Sequence, residues 1–215
     1  MRAKILSLNV GGPTLLEWKG RSVRSSMYKR PVPGPLVVLG DRIEGDSFAD
    51  PKYHGTVDSV LYAYGMTSIM DFLQRIGRDS YEPGALGENL TLDQLDEFEV
   101  SVGDTFQIGE VVVQASLPRI PCAKVDIRMQ HAQGRLQMEK SGRSGVYLRV
   151  LTPGKIKMDD EFFRLTQAKI QLKISDVYRR IVNKERVSAK DLEIARANGA
   201  LPARFIEKWS SQLAQ

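Results

Sequence analysis

The sequence contains a single cysteine, Cys122, and only two histidines among its 215 residues. One cysteine cannot form an internal disulfide, and secreted chains seldom carry an unpaired thiol, so a reducing compartment and a cytoplasmic protein are expected. Three such residues are also too few for the usual Cys/His zinc patterns or for an iron–sulfur cluster. The thiol is therefore either a small buried side chain or a group that the protein uses.

Long apolar runs and the common nucleotide-binding motifs are missing as well. No uninterrupted apolar run reaches roughly 18 residues, the length of a membrane span. The first residues resemble a strand more than a charged leader before an apolar segment. Neither a Walker loop nor a Gly-x-Gly-x-x-Gly fingerprint is present. The sequence therefore predicts no membrane association and no flavin or nicotinamide fold.

The net charge of +5 is unevenly distributed along the chain. Residues 1–166 hold 21 Lys or Arg and 21 Asp or Glu, whereas residues 167–215 hold 10 and 5. A basic tail can attract nucleic acid or an acidic protein, but an ordinary solvated helical surface is the commonest cause. Because no arginine-rich or aromatic recognition helix is evident, nucleic-acid binding is the least favoured interpretation.

Short apolar segments bounded by turn residues recur through the first three quarters of the chain. They predict strands at 4–10, 35–39, 59–64, 104–108, 111–116, 146–151 and 161–165. Gly109-Glu110 is expected to form a hairpin turn. In the first segment, alternation places Leu6, Leu8 and Val10 on one face. This spacing is typical of a closed or sandwiched β structure.

One helix is expected within this β region. Thr67 is its candidate N-cap, and four apolar residues share one face: Ile69, Phe72, Leu73 and Ile76. We therefore expect the β structure to be interrupted once.

Three further helices are expected after residue 167. The first is capped by Ser175, the second runs from a capping box at 188–191 to Asn198-Gly199, and the third begins near Pro202. The sequence thus predicts a mainly β domain over 1–166 and a three-helix domain over 167–215.

Cys122 is the strongest candidate for a chemical centre. Prolines 118 and 121 restrict the backbone around it, and Arg119 and Lys124 lie close enough in sequence to stabilise a thiolate. Such a thiolate can ligate a soft metal or act as a nucleophile. A buried, unreactive cysteine is the alternative interpretation.

A second polar cluster surrounds His54. Asp46, Asp50 and His54 are spaced four apart, but Asp50-Pro51 opposes a helix, so these side chains need not converge on a metal. A polar loop is favoured, and a Cys–His hydrolase requires His54 to reach Cys122. The glycine-containing segments 84–91 and 141–145 are either turns or places where backbone amides approach a ligand.

Taken in order, these segments resemble the MOSC domain, named for the C-terminus of molybdenum-cofactor sulfurases, and within it the YiiM-like branch with a three-helix appendage. The resemblance is carried by residues 25–32, 44–58, 87–91, 118–122 and 145–150. Two positions depart from the pattern. Thr56 replaces a glycine and lacks its freedom at positive φ, and Ser59 replaces a basic residue.

The resemblance implies a MOSC-type β-barrel that holds the molybdenum cofactor, a molybdopterin, with Cys122 as the molybdenum ligand. It also implies that Lys29 and Arg119 meet the phosphate or the pterin, while Asn89 forms a hydrogen bond nearby. Lys29 is expected to be an exposed lysine that matters more for the cofactor than for folding.

The same resemblance places Asp58 and His54-Gly55 on the metal side, where the carboxylate of Asp58 can manage protons in catalysis. The implied function is a reductase of small N-hydroxylated bases, of the hydroxylaminopurine or amidoxime type, that receives electrons from a separate reductase. The alternative is a non-catalytic carrier of the cofactor, or of sulfur as a persulfide on Cys122.

Overall fold

The protein was analysed as a computed structural model, which describes residues 1–49 and 55–214. The strands in chain order are β1 (Arg2–Val10), β2 (Thr14–Trp18), β3 (Arg21–Ser25), β4 (Arg30–Pro31), β5 (Leu36–Val38), β6 (Leu61–Gly65), β7 (Leu90–Leu92), β8 (Thr105–Ile108), β9 (Val111–Pro118), β10 (Val146–Thr152), β11 (Gly154–Ile156) and β12 (Glu161–Thr166). The helices are α1 (Met66–Arg75), α2 (Lys124–Met129), α3 (Gly134–Ser141), α4 (Ile174–Ile181), α5 (Ala189–Asn198) and α6 (Ala203–Leu213), and a 3-10 turn covers Val57–Ser59.

Seven of the strands close into a barrel. Their hydrogen-bonded order is β1-β7-β6-β10-β9-β8-β12, and β12 pairs with β1 to complete the ring. Strands β6 and β7 run parallel, and the other neighbours run antiparallel. Closure leaves no open edge among these seven strands. The predicted closed β-barrel followed by three C-terminal helices is confirmed.

The interior of the barrel contains both apolar and polar side chains, and β1 contributes to both regions. On β1, Ala3 and Ile5 are buried, and so are Ser7 and Asn9 on the same face. The Ser7 hydroxyl donates to Asn9 Oδ1 at 2.7 Å. On the face that carries Leu6, Leu8 and Val10, Leu8 is fully buried but Leu6 is 44% exposed. The strand itself is correctly predicted, but its inner face carries polar groups.

Several local predictions need correction. Helix α1 begins at Met66 after Gly65, so Thr67 is not its N-cap, and α4 begins after Lys173 rather than at a Ser175 cap. Helices α2 and α3 and the β2–β3 hairpin are additional to the expected elements. Segment 141–145 is not a hairpin loop, because it connects the end of α3 at Ser141 to β10, which begins at Val146, and its role as an anion nest stays a prediction.

The turn and capping predictions in the clearest motifs hold. Strands β8 and β9 are joined at Gly109-Glu110. Ser188 and Asp191 form a reciprocal capping box, and α5 ends at Gly199 in the left-handed conformation. These motifs were predictable because each depends on residues that are adjacent in sequence.

The three C-terminal helices share a hydrophobic core with the barrel. Phe106 and Phe162 stack inside the barrel with ring centroids 4.6 Å apart, and the same core cluster includes Val177, Phe205 and Trp209 of the helices. The last barrel strand ends at Thr166, but the division into domains at this point stays a prediction. Within the described ranges, no helix combines the length and apolar character that a membrane crossing requires.

Candidate active site

A cleft that is partly open to solvent collects most of the predicted site residues. Its walls come from the segment after β3, the loop before β7, strands β6 and β10, and the segment between β9 and α2. Cys122, Arg119, Lys124, Lys29 and Asn89 all line it. Residues far apart in sequence therefore meet in one concave surface, which is the usual form of a small-molecule site.

Cys122 is half-buried in the cleft wall and forms no disulfide. Its carbonyl accepts the Val125 N–H at 3.0 Å, just before α2. A thiol at a cleft surface is accessible to a ligand, whereas one sealed in an apolar core is not. Because Cys122 also packs against the apolar cluster that includes Met27 and Tyr62, its role as a reactive thiol stays a prediction.

Arg119 is a buried cation whose neighbours are uncharged. Only 4% of the residue is exposed, and its Nη1 and Nη2 lie 3.2 and 4.0 Å from the sulfur atoms of Met138 and Met27. No carboxylate of the described residues pairs with it. Since burial of an uncompensated charge is costly, this guanidinium favours an anion in the cleft.

The backbone of Arg119 is fixed by the start of β10. Ser144 Oγ donates to the Arg119 carbonyl at 2.6 Å, and the Arg119 N–H donates to the Gly145 carbonyl at 3.2 Å. Gly145 has φ +78°, and a Cβ there would lie 2.5 Å from the ring of Tyr62. Only glycine fits this position, so the glycine in this motif serves packing around the cleft.

Two tyrosines form an aromatic part of the cleft wall that the sequence interpretation missed. Tyr62 and Tyr147 have ring centroids 5.4 Å apart, and the Tyr62 hydroxyl donates to the Ser144 carbonyl at 2.7 Å. Burial raises the pKa of both phenols, while the nearby charge of Arg119 opposes the shift. Both rings therefore keep their protons at neutral pH. Their positions on neighbouring β6 and β10 were a usable signal only once the strand order was known.

Lys29 is buried and paired, so the expectation of an exposed lysine is wrong. Its ammonium contacts the carboxylate of Asp46, and the two side chains are 5% and 2% exposed. Burial lowers the pKa of Lys29, and the charge of Asp46 opposes this effect. Asp46 also accepts the Gly11 N–H at 2.9 Å. The charge of Lys29 is thus compensated within the chain.

The side-chain amide of Asn89 is fully used by the protein. Its Oδ1 accepts the Tyr62 N–H at 3.1 Å, and its Nδ2 donates to the Asn9 carbonyl at 3.2 Å and to Asp46 at 3.1 Å. Asn89 therefore joins β1, β6 and the Asp46 loop beside the cleft. Its predicted contact with a cofactor stays a prediction.

Glu88 was missed although it lies in a quoted motif. It is fully buried and accepts the Tyr81 hydroxyl at 2.7 Å, the Thr91 hydroxyl at 2.9 Å and the Leu86 N–H at 3.2 Å. Burial raises its pKa, against the effect of these donors. This carboxylate shapes the loop whose Leu86 and Asn89 line the cleft.

Asp58 lies beside the cleft rather than in its wall. Its carboxylate is 2.6 Å from Arg149 Nη2, whereas the next residue, Ser59, lines the cleft. The catalytic role of Asp58 in proton transfer stays a prediction. Among the described residues, no group of three or more His, Cys, Asp and Glu side chains converges as a metal site.

Gly55 and Thr56 can be placed, but His54 and Asp50 lie outside the described residues. Gly55 has φ +77°, and a Cβ there would meet the Phe48 ring at 2.5 Å. Thr56 has φ −75° and ψ 157°, an extended conformation that threonine adopts without strain. The expected conflict at Thr56 is therefore absent.

Comparison with known proteins gives a consistent result. The model of the MOSC domain matches residues 50–162. A Bacillus subtilis protein named "Uncharacterized protein YflK" is 34% identical over 155 residues, which cover 72% of this chain and 70% of that protein. Escherichia coli YiiM is 32% identical over 137 residues, which cover 63% of this chain and 61% of YiiM.

A more distant match carries an activity in its name. A Gibberella moniliformis protein named "Reductase" is 29% identical over 144 residues, which cover 66% of this chain but only 26% of that protein. This chain therefore corresponds to a part of a longer protein in that case.

Solved structures agree with the barrel and the helices together. The crystal structure of YiiM from Geobacillus stearothermophilus has a TM-score of 0.79 at 28% identity, with 98% of this chain and 99% of that chain covered. The E. coli YiiM structure has a TM-score of 0.77 at 20% identity, covering 100% and 94%, and supports the fold alone.

Proposed function

Because the chain belongs to the MOSC domain family, which is associated with the molybdenum cofactor, we propose that it binds this cofactor and reduces N-hydroxylated bases. The observation that carries the proposal is the meeting of a half-buried thiol, Cys122, with a buried guanidinium, Arg119, in one cleft. The first is a soft metal ligand, and the second is a site for an anion.

The residues present fit the cofactor. Cys122 would ligate the metal as a thiolate, while Arg119 and the half-buried Lys124 would meet the phosphate of the pterin. Arg119 lacks a carboxylate partner among the described residues, so an anionic ligand would compensate a charge that is otherwise buried alone. When bound, the cofactor supplies a metal that accepts an oxygen atom and exchanges two electrons.

The remaining cleft residues would orient the substrate and handle protons. Tyr147 offers a phenolic O–H in the cleft wall, and burial raises its pKa so that the proton stays on Oη until it is donated. Tyr62 is held by its bond to the Ser144 carbonyl and provides a flat apolar surface beside it. A planar heteroaromatic base would pack against these rings.

The overall reaction requires an electron donor. An N-hydroxylated amine, R–NH–OH, takes up two electrons and two protons, its N–O bond breaks, and R–NH₂ and water form. We propose that a separate reductase supplies both electrons, since the sequence has no flavin, nicotinamide or iron–sulfur motif. The name "Reductase" of the Gibberella relative is consistent with this chemistry.

The direct test is purification from a host that makes the cofactor. We expect molybdenum and pterin to copurify with the protein, and hydroxylaminopurine to be reduced when a chemical reductant is added. Bound cofactor without turnover would instead support the carrier alternative. Protein that is folded but free of both molybdenum and pterin would contradict the proposal altogether.

Cys122→Ser tests the metal ligand. We expect it to abolish molybdenum retention and activity, because a serine hydroxyl is a harder and far less acidic ligand than a thiol. The thermal midpoint of the metal-free protein should change by no more than about 3 °C, since the side chain is half-buried and nearly isosteric. Elemental analysis and thermal unfolding measure the two effects. Unchanged molybdenum content would rule out Cys122 as the ligand.

A further inference from the structure

The short turn before β6 determines part of the cleft wall. Within Val57–Ser59, the Ser59 N–H donates to the Thr56 carbonyl at 2.8 Å, and the two hydroxyls lie 3.1 Å apart. Ser59 lines the cleft, and β6, which follows at once, contributes Tyr62. The position of this turn therefore affects two cleft residues.

The middle residue of the turn, Asp58, is held at its backbone and at its side chain. Ser116 Oγ, fully buried on β9, donates to the carbonyl of Asp58 and lies 2.9 Å from the carbonyl of Tyr147. Arg149 Nη2, from β10, lies 2.6 Å from Asp58 Oδ1. Two adjacent barrel strands thus fix the turn at one residue.

Arg149 also reaches the C-terminal helices. The same Nη2 donates to the Ala200 carbonyl at 2.9 Å, between α5 and α6, and Nη1 donates to Gln114 Oε1 at 3.3 Å. Asp58 and Arg149 are only 17% and 23% exposed at their side chains. One guanidinium therefore connects the turn, the barrel and the helical tail.

We propose that Asp58 is a positioning residue, and that Asp58, Arg149 and the Ala200 carbonyl form a latch through which the docked tail holds Ser59 in the cleft wall. The relevance to catalysis depends on the proposed function, because the cleft is taken as the active site. A carboxylate held by a guanidinium serves geometry, whereas a proton carrier has to face the reacting group. The latch also gives the C-terminal helices a role that does not require a partner.

Hydrogen exchange of the cofactor-free protein tests the latch directly. In Asp58→Ala and in Arg149→Gln, we expect amides of residues 55–61 to exchange at least about tenfold faster, because a charge-assisted bond that orders the turn is lost. The double variant should exchange no faster than Arg149→Gln alone, since the Asp58–Arg149 bond is already absent in that variant. Asp176→Ala is the matched control, because Asp176 and Arg179 are also 2.6 Å apart but exposed on α4.

Asp58→Asn separates positioning from proton transfer. Asparagine still offers Oδ1 to Arg149 but cannot carry a proton, so a positioning role predicts partial protection of the turn, substantial activity and an unshifted pH profile. Complete loss of activity in Asp58→Asn with unchanged exchange would overturn the proposal, as would normal exchange in both Asp58→Ala and Arg149→Gln. If the parent protein shows no reductase activity, the proposed function fails, but hydrogen exchange of the cofactor-free protein still tests the latch. The two proposals can therefore fail separately.

Discussion

Lys29 and Arg119 line the same cleft, but among the described residues only Lys29 has a carboxylate that compensates its charge. Lys29 is buried against Asp46, whereas the Arg119 guanidinium lies beside the sulfur atoms of two methionines. Lysine and arginine side chains are rarely buried without a partner that compensates their charge. The cleft therefore has one part whose charge is balanced by the chain and one part whose charge is not.

This difference changes the roles that the sequence suggested. The Lys29–Asp46 pair is bonded to Gly11 and Asn89, so it joins the loops that form the cleft. Arg119 is the better candidate for the phosphate or the pterin, because its charge is not already used by a described carboxylate. The contact of Lys29 with the cofactor stays a prediction.

Lys29→Ala should give the largest effect on stability. The substitution leaves the carboxylate of Asp46 buried without its cation, and breaking such a pair costs about 3–5 kcal/mol. Denaturant unfolding of the cofactor-free protein measures the loss. Arg2→Ala is the control, since the Arg2–Glu161 pair is 73% and 51% exposed and should contribute at most about 1 kcal/mol.

A second comparison makes the Lys29 result decisive. Replacing both partners, as Lys29→Met with Asp46→Asn, should recover part of the lost stability, because no uncompensated charge remains and the asparagine oxygen can still accept from the Gly11 N–H. If Lys29→Ala costs as little as Arg2→Ala, the two halves of the cleft do not differ in the way described.

Arg119→Met should have the opposite profile. Removing an uncompensated buried cation should leave the stability of the cofactor-free protein unchanged or higher, because the desolvation cost disappears. Cofactor affinity should fall by roughly ten- to a hundredfold, since hydrogen bonds to charged groups contribute about 1.5–3 kcal/mol. Molybdenum retention during dialysis measures the loss.

Arg128→Met is the matched control for Arg119→Met. Arg128 stacks over the Tyr28 ring at 4.2 Å and is 3.2 Å from Glu82, so it already has partners and does not line the cleft. It should retain molybdenum normally. An Arg119→Met protein that unfolds more easily but keeps its molybdenum would reverse the assignment.

The barrel was largely predictable from sequence, because strand length, alternation and flanking turns are local signals. Helix α2 was missed for a local reason as well. It buries Val125, Ile127 and Met129, so its apolar residues alternate with a period of two and mimic a strand. Helix α3 buries only Gly134 and Met138 and gives almost no periodic signal.

The site was predictable where its chemistry is contained in one motif. Cys122 and Arg119 were found because one short segment, residues 118–122, carries both together with two prolines. The Lys29–Asp46 pair and the contact between Tyr62 and Tyr147 were not predictable, because each depends on how distant parts of the chain meet in the fold. Sequence patterns identify groups capable of chemistry, but compensation of their charges is a property of the folded chain.

Glu88→Gln tests how a buried carboxylate beside the cleft makes the stability of the protein depend on pH. Burial raises the pKa of Glu88 above its ordinary value of 4.5, so the folded protein binds this proton more tightly than the unfolded chain. The stabilisation is complete below about pH 4.5 and is lost as pH rises through the folded pKa. Relative to the parent protein, Glu88→Gln should therefore become more stable with rising pH, by at most about 1.4 kcal/mol per pH unit.

Urea unfolding between about pH 4.5 and 7.5 measures this trend. Glutamine cannot ionise, so the difference between variant and parent should change only across the titration of Glu88. Glu193→Gln, at an exposed position of α5, should show a constant difference. A constant difference for Glu88→Gln would contradict the proposed cost of its buried charge.

Ser59→Lys should give the smallest effect and extends the comparison to a third position. Ser59 stands in the cleft wall at the position where the resemblance implies a basic residue, so lysine adds a cation with no free carboxylate partner among the described lining residues. We expect cofactor affinity to rise roughly two- to fivefold, because a partly exposed charge contributes at most about 1 kcal/mol. Ser59→Met controls for side-chain length. The gain should shrink at high salt for lysine alone, and equal retention by the lysine and methionine variants would show that added charge in this wall does not reach the ligand.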